Sequence, residues 1–182
     1  MTPVPEQFAG IRQRRGQRAQ AAGLLASLKP PAESAQPLDW ALLLEVPEWC
    51  DWPPSRREHL VLIAGALFAA PAMRLWIEAR RIAAARSIIG ADAFDRVMAH
   101  ESLPHAAPEL PAEEDIRALL QAAGAGVLLG GLSHDGLRNS LAPLLPTSAG
   151  ALPHTVAAAL TADALALVAA LEQDEETSEE SP

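Results

Sequence analysis

SRREHLVLIAGALFAAPAMRLWIEARRIAAARSIIGADAFDR, residues 55–96, decides the fold class. Alanine, leucine and arginine dominate it, and all three favour helix. Ser55, with Glu58 three residues on, has the form of a capping box: the hydroxyl accepts a backbone N–H and the carboxylate reaches back. A helix is predicted from there to about Ala70. Pro71 is predicted to open the next helix, since proline tolerates a first turn. On it Arg74, Glu78, Arg81 and Ala85 share one face, and the three charges attract at that spacing. Met73, Leu75, Trp76, Ile77, Ile82, Ile88 and Ile89 fall on other faces. Only a narrow stripe is left wet, which places this helix near the centre of the fold. Gly90 suits its C-terminal stop.

Further along, Asp92 is predicted to begin a short helix through Phe94, Val97 and Met98. The stretch HESLPHAAPELP is a proline-rich loop. Pro111, followed by Glu113, Glu114 and Asp115, marks another helix start, with acids at the positive end of the dipole. That helix is predicted to end near Gly124. Ser133 begins one more, through Leu137 and Leu141 to Pro143. Pro153 opens the last, with Val156, Leu160, Ala164, Leu167 and Leu171 as its apolar seam.

Towards the N-terminus, Asp39 caps a short helix that Pro47 stops, and Trp49 and Trp52 follow in an irregular segment. Lys29–Pro37 reads as a linker, and Glu6–Leu28 as a first helix weakened by Gly10, Gly16 and Gly23. No fixed-period repeat and no alternating strand pattern is present. Tyrosine is absent, and β-branched residues are few, which lowers strand propensity. The expected architecture is all-α: one compact helical domain of about seven short helices with flexible termini. Residues 1–37 form its basic N-terminal helix and Pro-rich linker, 38–171 the helical core, and 172–182 a disordered acidic tail.

The formal net charge is -9, much of it from EQDEETSEESP at the end. The opposite end carries Arg12, Arg14, Arg15 and Arg18. That cluster lacks interleaved aromatics in an acidic chain, so a solvated helix suits it better than nucleic-acid binding. Cys50 is the only cysteine, which excludes an internal disulfide and fits a reducing cytoplasm. The N-terminus has no apolar stretch ahead of a cleavage site. The apolar runs Leu60–Met73 and Ala118–Leu132 fall short of the roughly 20 residues that span a bilayer.

Nothing in the chain is arranged for chemistry. The glycines of Gly124–Gly131 lack the strand lead-in and spacing of a dinucleotide fingerprint, and no P-loop lysine follows. Close helix packing or a turn explains them. The five histidines form no metal-ligand spacing, and Cys50 has no cysteine partner, so no metal or cofactor is expected. There is no nucleophile elbow. A site assembled from His134, Asp135 and His154 is the enzyme alternative. Trp40, Trp49 and Trp52 lie beside stiffening prolines, and suit either a core cap or a binding hot spot. With Arg12, Arg14, Arg15 and Arg18 they are the candidate partner-binding residues.

A set of spaced positions extends this reading. It runs Leu38-Asp39-Trp40, Trp52-Pro53, Arg56-Arg57 with Leu60 and Gly65, then Ile88-Ile89-Gly90 and Ala91-Asp92-Ala93-Phe94. Leu137-Arg138 and Leu144-Leu145-Pro146 complete it. Over residues 38–150 the chain resembles the SctK (YscK, PscK, OrgA) family of type III secretion sorting platforms. The resemblance implies a non-enzymatic cytoplasmic adaptor at the cytoplasmic face of the inner membrane. Its partners would be an SctD-like ring protein and an SctQ-like pod protein, which connects onward through an SctL-like stator. It implies no catalytic residue, cofactor or nucleic acid. The alternative is a helical chaperone or regulatory binding protein unrelated to secretion rings.

Overall fold

The computed structural model describes residues 45–101, 115–148 and 152–179, the last five by backbone alone. The expected Glu6–Leu28 helix, Arg12, Arg14, Arg15, Arg18 and Trp40 lie outside the described residues. The chain divides into two compact units, Met1–Trp52 and Pro53–Pro182. The break therefore falls inside the span expected to be one core. Pro53 and Pro54 explain its place: neither offers a backbone donor, and Trp52 and Pro53 hold extended backbone. In the first unit, a 3₁₀ turn at Glu48–Asp51 follows Pro47 and carries the buried Trp49 and Cys50.

The second unit is all-α among the described residues. Its helices are α1 (Pro54–Met73), α2 (Ala79–Ile89), α3 (Ala91–Ala99), α4 (Ile116–Gly130), α5 (Asp135–Leu141) and α6 (His154–Glu179). A 3₁₀ turn, Ala142–Leu144, follows α5.

The central helix is α1. Every residue from Leu60 to Leu67 is buried, and so are Ala69, Ala70, Ala72 and Met73. It packs chiefly against α4 and then α6. Its start departs from the expected capping box. Pro53 is the N-cap and Pro54 the first helical residue, so Ser55 lies two positions too deep to cap, and no side-chain cap bond forms. Glu58 instead reaches across to α4, accepting from Arg117 Nη1 at 2.9 Å and Gln121 Nε2 at 3.3 Å.

Its end departs too. Pro71 sits inside α1 rather than opening the next helix. The ring removes one hydrogen bond to the preceding turn. Burial of Ala69, Ala70, Ala72 and Met73 holds the last turn together despite that loss. Consequently Arg74, Glu78 and Arg81 do not share one continuous helix. The following helix, α2, is not central either: only Ala85 and Ile89 are buried on it.

The connection between α2 and α3 is a single residue. Gly90 has φ 92° and ψ 150°, a conformation that side-chain-bearing residues avoid, and no other described residue has positive φ. The helix starting after it matches expectation and buries Ala93, Phe94 and Val97. Arg86 of α2 pairs with Asp95 of α3 and lies 5.5 Å over the Phe94 ring.

The fourth helix does not stop at Gly124 but runs on to Gly130. Gly124 and Gly65 mark where α4 and α1 touch main chain to main chain. A Cβ on Gly124 would lie 1.8 Å from the Val61 carbonyl oxygen, and one on Gly65 1.9 Å from that of Leu120. Glycine is present here for close approach, not for a turn.

The last helix buries Ala157, Leu160, Ala164, Leu167 and Val168. Val156 and Leu171, two positions of the expected seam, are only half-buried. The tail departs from expectation: helix continues through Glu179. Glu172 pairs with Arg56 at 2.6 Å, and Asp174 pairs with Arg96. Apolar seating of the upstream turns carries the helix onward, and opposite charges on α1 and α3 then meet the acids. All four side chains are more than a third exposed, so each pair contributes only about 0.2–1 kcal/mol. Removing Glu172–Pro182 is therefore expected to lower the melting temperature by only a few degrees, with the difference shrinking in high salt. A fall beyond about 10 °C in a circular dichroism melt would show that the tail buries apolar surface.

Candidate functional site

Of the tryptophans expected at a binding surface, Trp40 lies outside the described residues, and Trp52 is half-buried. Trp49 is 1% exposed, so its indole is closed to a partner.

The fourth tryptophan marks a different place. After Met73, the chain turns tightly: Leu75 N–H donates to Ala72 O at 3.0 Å and Trp76 N–H to Met73 O at 3.1 Å. Arg74 fixes the base of this turn. Its Nε donates to Met98 O at 3.2 Å and its Nη2 to His100 O, satisfying carbonyls that the end of α3 leaves open. Consecutive side chains of Leu75, Trp76 and Ile77 cannot all turn to one side. Trp76 turns partly inward. Leu75 is left 78% exposed and Ile77 96% exposed. Trp76 Nε1 is buried with no hydrogen-bond partner. Such an orphaned donor costs about 1–3 kcal/mol. Glu78 then opens α2 and pairs with Arg81 at 2.9 Å, while Arg80 is exposed.

A second open surface is the outer side of α6. Thr155, Ala162, Ala166, Ala169 and Gln173 are exposed, with Ala159 half-buried between them. Their spacing alternates four and three residues, the seam that a partner helix reads. Small side chains there let a second backbone come close. The segment His154–Asp174 is long and apolar enough to cross a membrane, and 28% of its most apolar stretch is buried. Its inner seam is seated on α1 and α4, and its Asp163 lies 3.6 Å from His100 Nε2.

One depression has a polar lining. It is an open hollow of about 220 Å³ bordered by Ser55, Glu58, His59, Leu62, Ile88 and Arg117. It brings a serine, a histidine and a carboxylate near one another, but Glu58 is already held by Arg117 and Gln121. Of the proposed His134, Asp135 and His154 site, Asp135 pairs with Arg138 at 2.9 Å, and His154 opens α6. Among the described residues, no three of histidine, cysteine, aspartate and glutamate gather to hold a metal.

No family model, no curated protein and no solved structure matches this chain.

Sequence reasoning missed Leu75 and Ile77 by placing them on a buried helix. The signal was present in RLWIE. Three bulky apolar residues in a row, bounded by charges, cover about 200° of a helix, wider than a narrow contact stripe. With a proline four residues ahead, a break in the helix accounts for them.

Proposed function

We propose that this chain is a non-enzymatic adaptor of a type III secretion sorting platform, akin to SctK. It would link an SctD-like ring protein at the inner membrane to an SctQ-like pod protein, and through that to an SctL-like stator. The observation that carries the reading is the outer side of α6. A 26-residue helix leaves Ala162, Ala166 and Ala169 open along one seam. A row of small exposed residues at coiled-coil spacing suits a helix that packs against a second chain. The positions from Leu38 to Pro146 that resemble the SctK family supply the identity of the partners.

The test is copurification with SctD and SctQ homologues from the same genome. Tagged full-length protein is expected to capture at least one of them. The variant Ala162→Glu/Ala166→Glu should lower that capture by about tenfold or more, with an unchanged melt. Capture of neither partner, together with intact secretion after deletion, rejects the reading.

A further inference from the structure

The tip Leu75–Ile77 is convex and apolar, and its features point to a partner other than a folded protein. Ile77 at 96% and Leu75 at 78% exposure stand clear of their own fold. A protein partner would need a socket shaped to both. A fluid bilayer accepts such a tip without one. The segment that carries the tip is basic in a chain of net charge -9. Between Arg74 and Gly90 stand Arg74, Arg80, Arg81 and Arg86, against Glu78 alone. Asp95 holds Arg86 from α3 and Glu78 holds Arg81, which leaves Arg80 exposed and Arg74 at the base of the tip. The orphaned Trp76 Nε1 adds an independent sign. Tryptophan favours the membrane–water boundary, where its ring lies in apolar surroundings and its N–H meets acceptor oxygens. In water the aliphatic exposure disfavours this loop; at a lipid interface it is relieved.

We infer that residues 74–80 form a membrane-interface anchor. Leu75 and Ile77 seat at the headgroup–acyl boundary of an anionic bilayer, and Arg80 rests among the phosphates, while Arg74 holds the base of the tip. The attachment is direct and needs no ring protein. It stands independently of the adaptor reading, which concerns α6.

Vesicle flotation of the full-length protein tests it. The protein is expected to float with vesicles containing phosphatidylglycerol and to float far less with phosphatidylcholine alone. Leu75→Ser/Ile77→Ser should lower the partition coefficient by about a hundredfold, each aliphatic side chain supplying about a tenfold factor. Arg80→Glu should weaken binding by about tenfold on the anionic vesicles only. The blue shift of tryptophan emission on vesicle addition should vanish in Trp76→Phe. Ala162→Glu/Ala166→Glu should float as the parent does, so loss of partner capture and loss of lipid binding are separable. Failure of the parent protein to float, or equal flotation of Leu75→Ser/Ile77→Ser, overturns the inference. So does partner capture that depends on Leu75 and Ile77 without any vesicle binding, which would make the tip a protein dock.

Discussion

Gly124→Ala is expected to lower the melting temperature by about 15 °C. The sign is the informative part. Alanine at a helical glycine ordinarily stabilises, by about 0.8–1 kcal/mol of propensity. Here the new methyl would lie 1.8 Å from the Val61 carbonyl oxygen and 2.7 Å from its carbon. Those are backbone atoms of a buried helix and cannot rotate away. Relief requires α1 and α4 to part by more than about 1 Å, which loosens a close-packed interior. Leu60, Ile63, Leu67, Leu120, Val127 and Leu128 are all at most 1% exposed and would lose contact together. Overpacking of this kind costs several kcal/mol, and a net loss of about 4 kcal/mol corresponds to the stated fall for a unit of this size. Gly65→Ala should behave alike, because its methyl meets the Leu120 carbonyl at 1.9 Å. Since both substitutions press on one crossing, the second should cost less once the first has parted the helices. A melt that rises, as propensity alone dictates, would show that the two backbones do not meet.

The second large effect concerns how α6 is seated. Leu160→Ala is expected to reduce the unfolding free energy by about 3 kcal/mol, and Leu171→Ala by less than about 1 kcal/mol. Both are leucines on the seam read from the sequence, so chemistry alone ranks them equally. Leu160 is 1% exposed and faces the fold, whereas Leu171 is half-buried. Removing the first leaves a cavity; removing the second leaves a dent open to water. Urea titration should show the difference as a shift of midpoint at constant slope. Equal costs would mean that α6 is rotated from the seating described.

Much of the helical plan was legible. Gly90 as a stop, the start of α3 near Asp92 and the start of α6 after Pro153 follow from local chemistry, and the structure has them. The errors share one cause. Pro71, Gly124 and Ser55 each carry two local meanings, and only the neighbouring element selects between them. Proline opens a helix most readily, but a buried last turn holds one near its end at the loss of a hydrogen bond. Glycine ends a helix, or lets another helix in. Ser55 has the right partner three residues on, but Pro53–Pro54 starts the helix two residues early and removes its task. The surface was less legible than the fold. Trp49, which suited either a core cap or a binding hot spot, is enclosed; Leu75 and Ile77 looked enclosed and are displayed. The mistake over Leu75 and Ile77 descends from assigning Pro71 to the wrong helix.

The Gly65–Gly124 crossing also determines which pairing of helices is possible at all. Sliding α4 by one turn in either direction would bring Leu120 or Leu128 to the point where Gly124 now lies; sliding α1 would bring Val61 or Ala69 to that of Gly65. Each alternative puts a side chain where only bare main chain fits. A chain built so heavily from alanine and leucine has many near-equivalent ways to stack its helices. Two glycines reduce them to one registration.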